Sequence, residues 1–184
     1  MTKEQREGLI YLVGFVACIP AANWMIGNVG TTCVPQGPCL VPVAPGVMAP
    51  SGVLMIGLAL VLRDLVQRRL GRAWALGAIL AGAVLSGAIA PPALVIASVA
   101  AFFLSELADF AVYTPLQERR FMLAVIASSM VGLVVDSILF LWLAFGSLDF
   151  LWGQVIGKAW MVLASVPFIY WLREREASVA RAHS

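Results

Sequence analysis

The chain has 184 residues, of which 61% are hydrophobic and 12% are charged, with a formal net charge of +2. Soluble domains average about 45–50% apolar and about 25% charged residues, so a soluble fold of this size could not bury so much apolar surface. The composition excludes an ordinary soluble domain and predicts one all-α polytopic membrane domain over residues 1–184, because lipid itself solvates apolar side chains.

Six apolar runs approach or exceed the roughly 20 residues that a helix needs to cross a bilayer. The first run is too long for the apolar part of a signal peptide and lacks a clear small-residue cleavage site, so we interpret it as the first helix. The six runs predict a bundle of six transmembrane helices. The predicted spans are Leu9–Asn28, Val47–Val66, Ala73–Ala90, Ala93–Tyr113, Phe121–Phe145 and Phe150–Leu172.

Lysine and arginine residues fall on one side of this bundle. Eleven of the twelve fall in or beside alternate connections, and the twelfth, Lys158, lies deep inside the sixth span. Arg63 is counted with the connection after the second span, because it lies near the end of that span and the cytoplasmic limit of the span is the least certain. The other connections contain no Lys or Arg. Because positive residues stay on the cytoplasmic side, both termini are predicted to be cytoplasmic, in a bacterial inner membrane. The two sets of three helices would then have opposite topology, which fits a 3+3 inverted repeat, although the halves show no convincing sequence similarity. The connections without Lys or Arg are Val29–Gly46, the one around Pro91–Pro92, and Gly146–Asp149.

The segment Gly30–Pro50 is neutral and rich in proline and glycine, which predicts neither strand nor helix. A plain surface loop, a lid and a re-entrant segment are all compatible with this composition. Cys33 and Cys39 would lie on the oxidising side and could form a disulfide, although spacing alone does not establish one. No metal site is expected, because the single histidine, His183, is in the tail.

Ionisable side chains inside a membrane are costly and usually functional. In the fourth span, Glu106, Asp109 and Tyr113 lie at i, i+3 and i+7, so they share one face of the helix. Two carboxylates this close repel when both are ionised, which makes the pair a candidate for proton coupling or for binding a hydrogen-bond donor. The alternative is that they are wetted or paired with Arg119 or Arg120 near the end of the span.

The last two spans carry further polar groups. Asp136 is deep by position. It shares one helix face with Ser129 and Gly132, and these small residues leave room for a neighbouring helix or a ligand. Gln154 and Lys158 are one helical turn apart. Lys158 could pair with Asp136 or with an acid of the fourth span, either as part of a site or as a structural ion pair. These residues are therefore candidates for substrate binding.

The deep charges do not balance. Glu106, Asp109 and Asp136 oppose Lys158 alone, which leaves two net negative charges when all are ionised. The surplus predicts a bound proton, a cation or a ligand rich in hydrogen-bond donors, and it does not suit an anion carrier.

These motifs resemble those of a known family. The runs SELADFAVYTPLQERR, ASSMVGLVVDSILFLWLAF and GKAWM, with the earlier VLRDLVQRRLG, are similar to segments of the queuosine precursor transporter family, also called the vitamin uptake transporter family. They occupy Ser105–Arg120, Ala127–Phe145, Gly157–Met161 and Val61–Gly71. The resemblance implies uptake of 7-deazaguanine precursors such as 7-cyano-7-deazaguanine, and it carries over Glu106, Asp109, Asp136 and Lys158 as motif positions.

The chemistry of such a solute suits the polar residues. A guanine-like ring presents adjacent N–H and NH2 donors, which one carboxylate, Asp136 or Asp109, can accept. Its carbonyl and cyano groups accept hydrogen bonds, which Gln154 or Lys158 could donate. Further side chains that could stack on the ring or bond to it are Asn23, Trp24, Tyr113 and Trp160.

Three classes of function remain open at this point. A stand-alone transporter, coupled to protons through Glu106 and Asp109, is the leading hypothesis. The alternatives are a substrate-binding subunit of an energy-coupling factor importer, which would need an ATPase, and a transporter of another small nitrogenous solute. An enzyme is not expected, because no span contains histidine and no nucleotide-binding loop is present. The expected partners are the solute and the bilayer, with no cofactor or nucleic acid; a homo-oligomer is left open.

Overall fold

The structure, a computed structural model, describes residues 2–33, 38–90 and 94–182, with side chains to residue 175. Pro91, Pro92 and His183, which entered the sequence predictions, lie outside the described residues, as does part of the Gly30–Pro50 segment. The described chain contains six helices. They are α1 (Lys3–Asn28), α2 (Val53–Leu70), α3 (Arg72–Ile89), α4 (Val95–Leu116), α5 (Phe121–Phe145) and α6 (Leu151–Ala182).

Five of these helices, all except α2, are long and apolar enough to cross a membrane. Large apolar side chains cover their outer faces, which is the surface expected of a protein that lipid solvates. Examples are Val13, Val84, Ile96, Trp142 and Trp152. A multi-helix membrane architecture is therefore confirmed. The count of six spans, the orientation of the termini and the repeat stay predictions.

Helix α2 differs from the other five because it is enclosed by them. It contacts α1, α3, α4, α5 and α6, and ten of its 18 residues are buried. Its length of about 27 Å is close to the roughly 30 Å of a bilayer core. The expectation that Arg63 belongs to a cytoplasmic connection was wrong: Arg63 and Asp64 are fully buried inside the bundle. The charges that lower the hydropathy of α2 therefore face protein and not lipid.

The segment before α2 forms a small antiparallel sheet. Its strands are β1 (Thr32–Cys33), β2 (Cys39–Ala44) and β3 (Val47–Pro50), in the order β1-β2-β3. The prediction of neither strand nor helix was wrong, because the short segments that contain Val41, Val43 and Val47 pair as antiparallel strands on either side of a tight turn at Gly46. That glycine has φ 71°, a conformation that residues with a side chain rarely adopt. The predicted second span also began too early, since the helix starts at Val53.

The sheet is attached to the bundle at one end, here called the sheet end. Cys33 and Cys39 lie opposite each other on β1 and β2 and form a disulfide, which confirms that pairing. Val43 packs against Val53 at the start of α2, and its carbonyl oxygen accepts a 2.7 Å hydrogen bond from the indole of Trp160. The sheet is thus held on α2 and α6.

Two apolar clusters form the core. One lies among α1–α4, where Phe15 and Ile19 meet Phe102, and the other lies among α2, α4, α5 and α6. The small residues of α3 serve this packing. A Cβ atom at Gly82 would lie 2.6 Å from the Phe102 ring, so the glycine permits the contact. Cys18 is a buried free thiol in the first cluster.

Candidate functional site

A cavity of about 450 Å³ opens in the half of the bundle nearest the sheet. This volume is within the range of about 300–1,000 Å³ that is usual for small-molecule sites. All six helices contribute to its wall, which is mainly apolar and includes the aromatic rings of Phe102 and Phe140. Five of the residues predicted for substrate binding line it: Asn23, Trp24, Asp136, Gln154 and Lys158.

Lys158 is the centre of the polar wall. Its ammonium donates to Asp136 Oδ2 at 2.5 Å, to Ser137 Oγ at 2.8 Å and to Gln154 Oε1 at 2.7 Å. An ammonium has three N–H groups, so Lys158 has no donor left for a ligand. Of the two pairings considered for Lys158, the structure shows the one with Asp136. Lys158 therefore positions its neighbours instead of facing the cavity as a free donor.

This arrangement leaves one acceptor and one donor unused. Because a lysine can only donate, Gln154 must turn its oxygen towards Lys158, which fixes the orientation of the amide. The Gln154 NH2 group and Asp136 Oδ1 then have no hydrogen-bond partner within the described part of the chain. Both residues line the cavity. Hydrogen bonds from the buried Lys158 ammonium thus hold a carboxylate acceptor, Asp136, and an amide donor, Gln154, at fixed positions in the wall.

Close backbone packing sets the position of Lys158. A Cβ atom at Gly57 would lie 2.5 Å from the Lys158 carbonyl oxygen, so glycine is needed for α2 to approach α6 at this level. On α1, the Asn23 amide donates to the Ile19 carbonyl at 3.0 Å, and its own oxygen remains an acceptor at the cavity wall.

The other predicted polar residues lie elsewhere, around Arg63. The Arg63 guanidinium forms ion pairs with Asp64 at 3.0 Å, with Glu106 at 3.1 Å and with Asp109. It also lies 5.7 Å from the centre of the Tyr113 ring. All of these side chains are buried. We call this group, with Ser128, which donates to Asp64 at 2.9 Å, the Arg63 cluster.

The predicted single site is therefore two sites. Glu106, Asp109, Tyr113 and Ser129 do not line the cavity, and Trp160 does not line it either. Among the described residues, three buried polar atoms at this level have neither a hydrogen-bond partner nor an ion pair. They are Asp109 Oδ2, the Tyr113 hydroxyl and Ser129 Oγ.

Arg63 is the functional candidate that the sequence reasoning missed. The signal was present: Arg63 and Asp64 lie between apolar residues on both sides, in the run VLRDLV. A charged pair inside an apolar run indicates a buried helix face and not a loop. The charges of Arg63 and Asp64 are opposite and cancel each other. The predicted surplus of two negative charges among the deep residues is therefore unchanged.

The cavity and the cluster lie at successive levels of the bundle. Along α2, Val53 and Ile56 line the cavity, and Arg63 and Asp64 follow two turns later. Along α4, the cavity residue Phe102 likewise comes before the acidic residues of the cluster. Helix α5 runs antiparallel, so its cluster residue Ser128 comes before its cavity residue Asp136. A solute in the cavity would therefore meet the Arg63 cluster on its way to the end opposite the sheet.

Comparison with known proteins gives one match. A family model described as "Putative vitamin uptake transporter" matches residues 87–172, from the end of α3 to α6. No curated protein and no solved structure matches the chain. The matched region contains Asp136, Gln154 and Lys158 of the cavity and the acidic residues of α4, whereas Arg63 precedes it. Residues 87–172 are thus similar to the vitamin uptake transporter family, which is consistent with the resemblance of the chain to the queuosine precursor transporters.

Proposed function

We propose that this protein imports a 7-deazaguanine-type queuosine precursor, such as 7-cyano-7-deazaguanine, and does no chemistry on it. The observation that supports this most directly is the donor and acceptor pair in the cavity. Gln154 offers an unused NH2 group and Asp136 an unused oxygen, beside aromatic side chains. A family of vitamin-type uptake transporters is the context in which this pair is interpreted.

The edge of a guanine-like ring complements that pair. Its ring N–H and exocyclic NH2 groups donate, and its neighbouring carbonyl oxygen accepts. In the proposed complex, Asp136 Oδ1 accepts from the donors while Gln154 donates to the carbonyl. Phe102, Phe140 or Trp24 then contacts the face of the ring. A solute without this donor–acceptor edge would leave the buried polar groups unpaired, which costs binding free energy.

The Arg63 cluster suits a role in the translocation step. Three carboxylates surround one guanidinium, which leaves two net negative charges when all are ionised. A proton that binds there reduces this repulsion and changes how firmly Arg63 holds α4 against α2. We therefore propose Glu106 and Asp109 as the proton-coupling residues, acting on the path and not on the bound solute.

The test is uptake in a bacterial strain that neither makes nor imports queuosine precursors. The strain expresses the chain, receives 7-cyano-7-deazaguanine at low concentration, and is scored by queuosine in its tRNA. Restored queuosine that is lost in Gln154→Leu supports the proposal. Val84→Ala, on a face exposed to lipid, is the matched control. No queuosine with the protein present in the membrane would overturn the proposed substrate for a stand-alone importer.

The same strain separates this proposal from the energy-coupling factor alternative. A substrate-binding subunit needs an ATPase from its own cell, so it would restore queuosine only when that ATPase is also expressed. Binding of the precursor to the purified chain, without uptake by the chain alone, would be the result that favours this alternative.

A further inference from the structure

A second cavity lies at the end of the bundle opposite the sheet. Its volume is about 390 Å³, and it lies between α2, the connection from α4 to α5, and α6. Four arginines from these three parts of the chain line it: Arg68, Arg119, Arg120 and Arg173. The general preference for positive residues on the cytoplasmic side explains their side of the membrane, but it does not require them to share one cavity. We call this the arginine cavity.

Two of its polar groups are held in place within the fold. The Arg68 guanidinium lies 4.9 Å from the centre of the Phe121 ring and donates to the Gln117 backbone oxygen at 3.4 Å. Gln117 itself is only 8% exposed, and its side-chain amide has no hydrogen-bond partner among the residues that the structure describes. An amide in the wall of a cavity, without a protein partner, is available to bind a polar group of a ligand there.

The start of α5 adds further donors. Phe121, Met122 and Leu123 form the first turn of this helix and line the cavity. No side chain caps this turn and no acidic residue lies in it. The first N–H groups of a helix carry partial positive charge and bind anions. Among the residues whose side chains the structure describes, Glu118 is the only acidic one in the cavity wall, and it is exposed and lies 3.9 Å from Arg72.

We propose that the arginine cavity binds a phosphate-type oxyanion. Arginine forks pair with phosphate oxygens through two parallel hydrogen bonds, and basic pockets between membrane helices bind anionic lipid headgroups. Leu123, on the cavity wall, is 45% exposed, which gives an acyl chain an apolar surface beside the headgroup. The same oxyanion chemistry is supplied by an anionic phospholipid or by free phosphate, and the two sources are separable by experiment.

The test is a titration of the purified full chain in neutral detergent with three probes. These are a short-chain phosphatidylglycerol, a short-chain phosphatidylcholine and inorganic phosphate. The test variant is Arg119→Gln/Arg120→Gln, in which two exposed arginines of the cavity lose their charge. The matched control is Lys3→Gln/Arg6→Gln, which removes two exposed charges from α1 without touching the cavity. Circular dichroism of both variants checks that they keep their helices.

The proposal expects phosphatidylglycerol to bind the wild-type chain more tightly than phosphatidylcholine. The cavity variant should lose about tenfold in affinity, because charge-assisted hydrogen bonds are lost, while the control should not. Inorganic phosphate that binds with the same dependence on Arg119 and Arg120 would identify a free anion as the ligand. Equal losses in both variants, or no binding of either anionic probe, would overturn the proposal.

Discussion

Lys158 and Asp136 form an ion pair across the interface of α5 and α6, with Nζ 2.5 Å from Oδ2. The lysine side chain is 1% exposed and the aspartate side chain 12% exposed. Breaking a buried pair by removing one partner costs about 3–5 kcal/mol, because the other charge is left without compensation. The pair therefore contributes both to the stability of the bundle and to the shape of the cavity wall, and these two roles can be separated.

Lys158→Met should lower the stability of the chain by about 3 kcal/mol, because it leaves the Asp136 carboxylate unpaired. The double variant Asp136→Asn/Lys158→Met removes both charges and should recover most of that stability. Uptake of 7-cyano-7-deazaguanine should stay lost in the double variant, because the acceptor is gone. Thermal unfolding in detergent and the tRNA assay measure the two effects. Recovery of uptake with stability would show that the pair is only structural.

Gln154→Glu should keep the fold and lose uptake. The new carboxylate still accepts from Lys158, so the interface is preserved, but the NH2 donor of the cavity is replaced by an acceptor. A rise in the KM for uptake of about tenfold or more is expected, since one hydrogen bond becomes a repulsive contact. Ser137→Ala, which removes a Lys158 partner outside the cavity wall, is the comparison. Uptake unchanged in Gln154→Glu would contradict the assigned donor.

Gly57→Ala should disturb the cavity from a distance. The added Cβ atom would meet the Lys158 carbonyl, so α2 and α6 must separate, at a cost of about 1–3 kcal/mol. Gly77→Ala on α3 is the matched control, because no heavy atom lies within 4 Å of its added Cβ. Only the first variant should lower the unfolding temperature and weaken uptake. Similar behaviour of the two variants would mean that this close approach does not set the position of Lys158.

The helices could be predicted from the sequence because each apolar run is long and because the arginines fall in every second connection between the runs. The sheet could not, because short strands in a proline-rich segment depend on a turn at Gly46 and on packing against Val53. Composition reports neither of these. Cavity residues such as Asp136 and Lys158 were predictable as single costly groups inside a span.

What the sequence did not reveal is which of these groups meet. Helix periodicity places Glu106 and Asp109 on one face, but it does not say that this face turns to Arg63 and away from Lys158. The run that contains Arg63 has more charges than a lipid-facing helix tolerates, so hydropathy alone does not define where the second span ends. Its enclosure by five other helices is a tertiary property.

The two levels of the bundle predict a separation of binding from transport. Asp109 is buried in the Arg63 cluster and does not line the cavity, so Asp109→Asn should leave equilibrium binding of 7-cyano-7-deazaguanine within about twofold of wild type. Uptake should fall and lose its dependence on an imposed pH gradient, because the cluster then has one fewer site for a proton. Asp136→Asn should instead weaken binding and uptake together, since it removes the acceptor in the cavity.

Isothermal titration on the purified chain and uptake into proteoliposomes measure binding and transport separately. If Asp109→Asn weakened binding as much as Asp136→Asn, the solute would contact the cluster directly, and the assignment of two separate levels would be wrong.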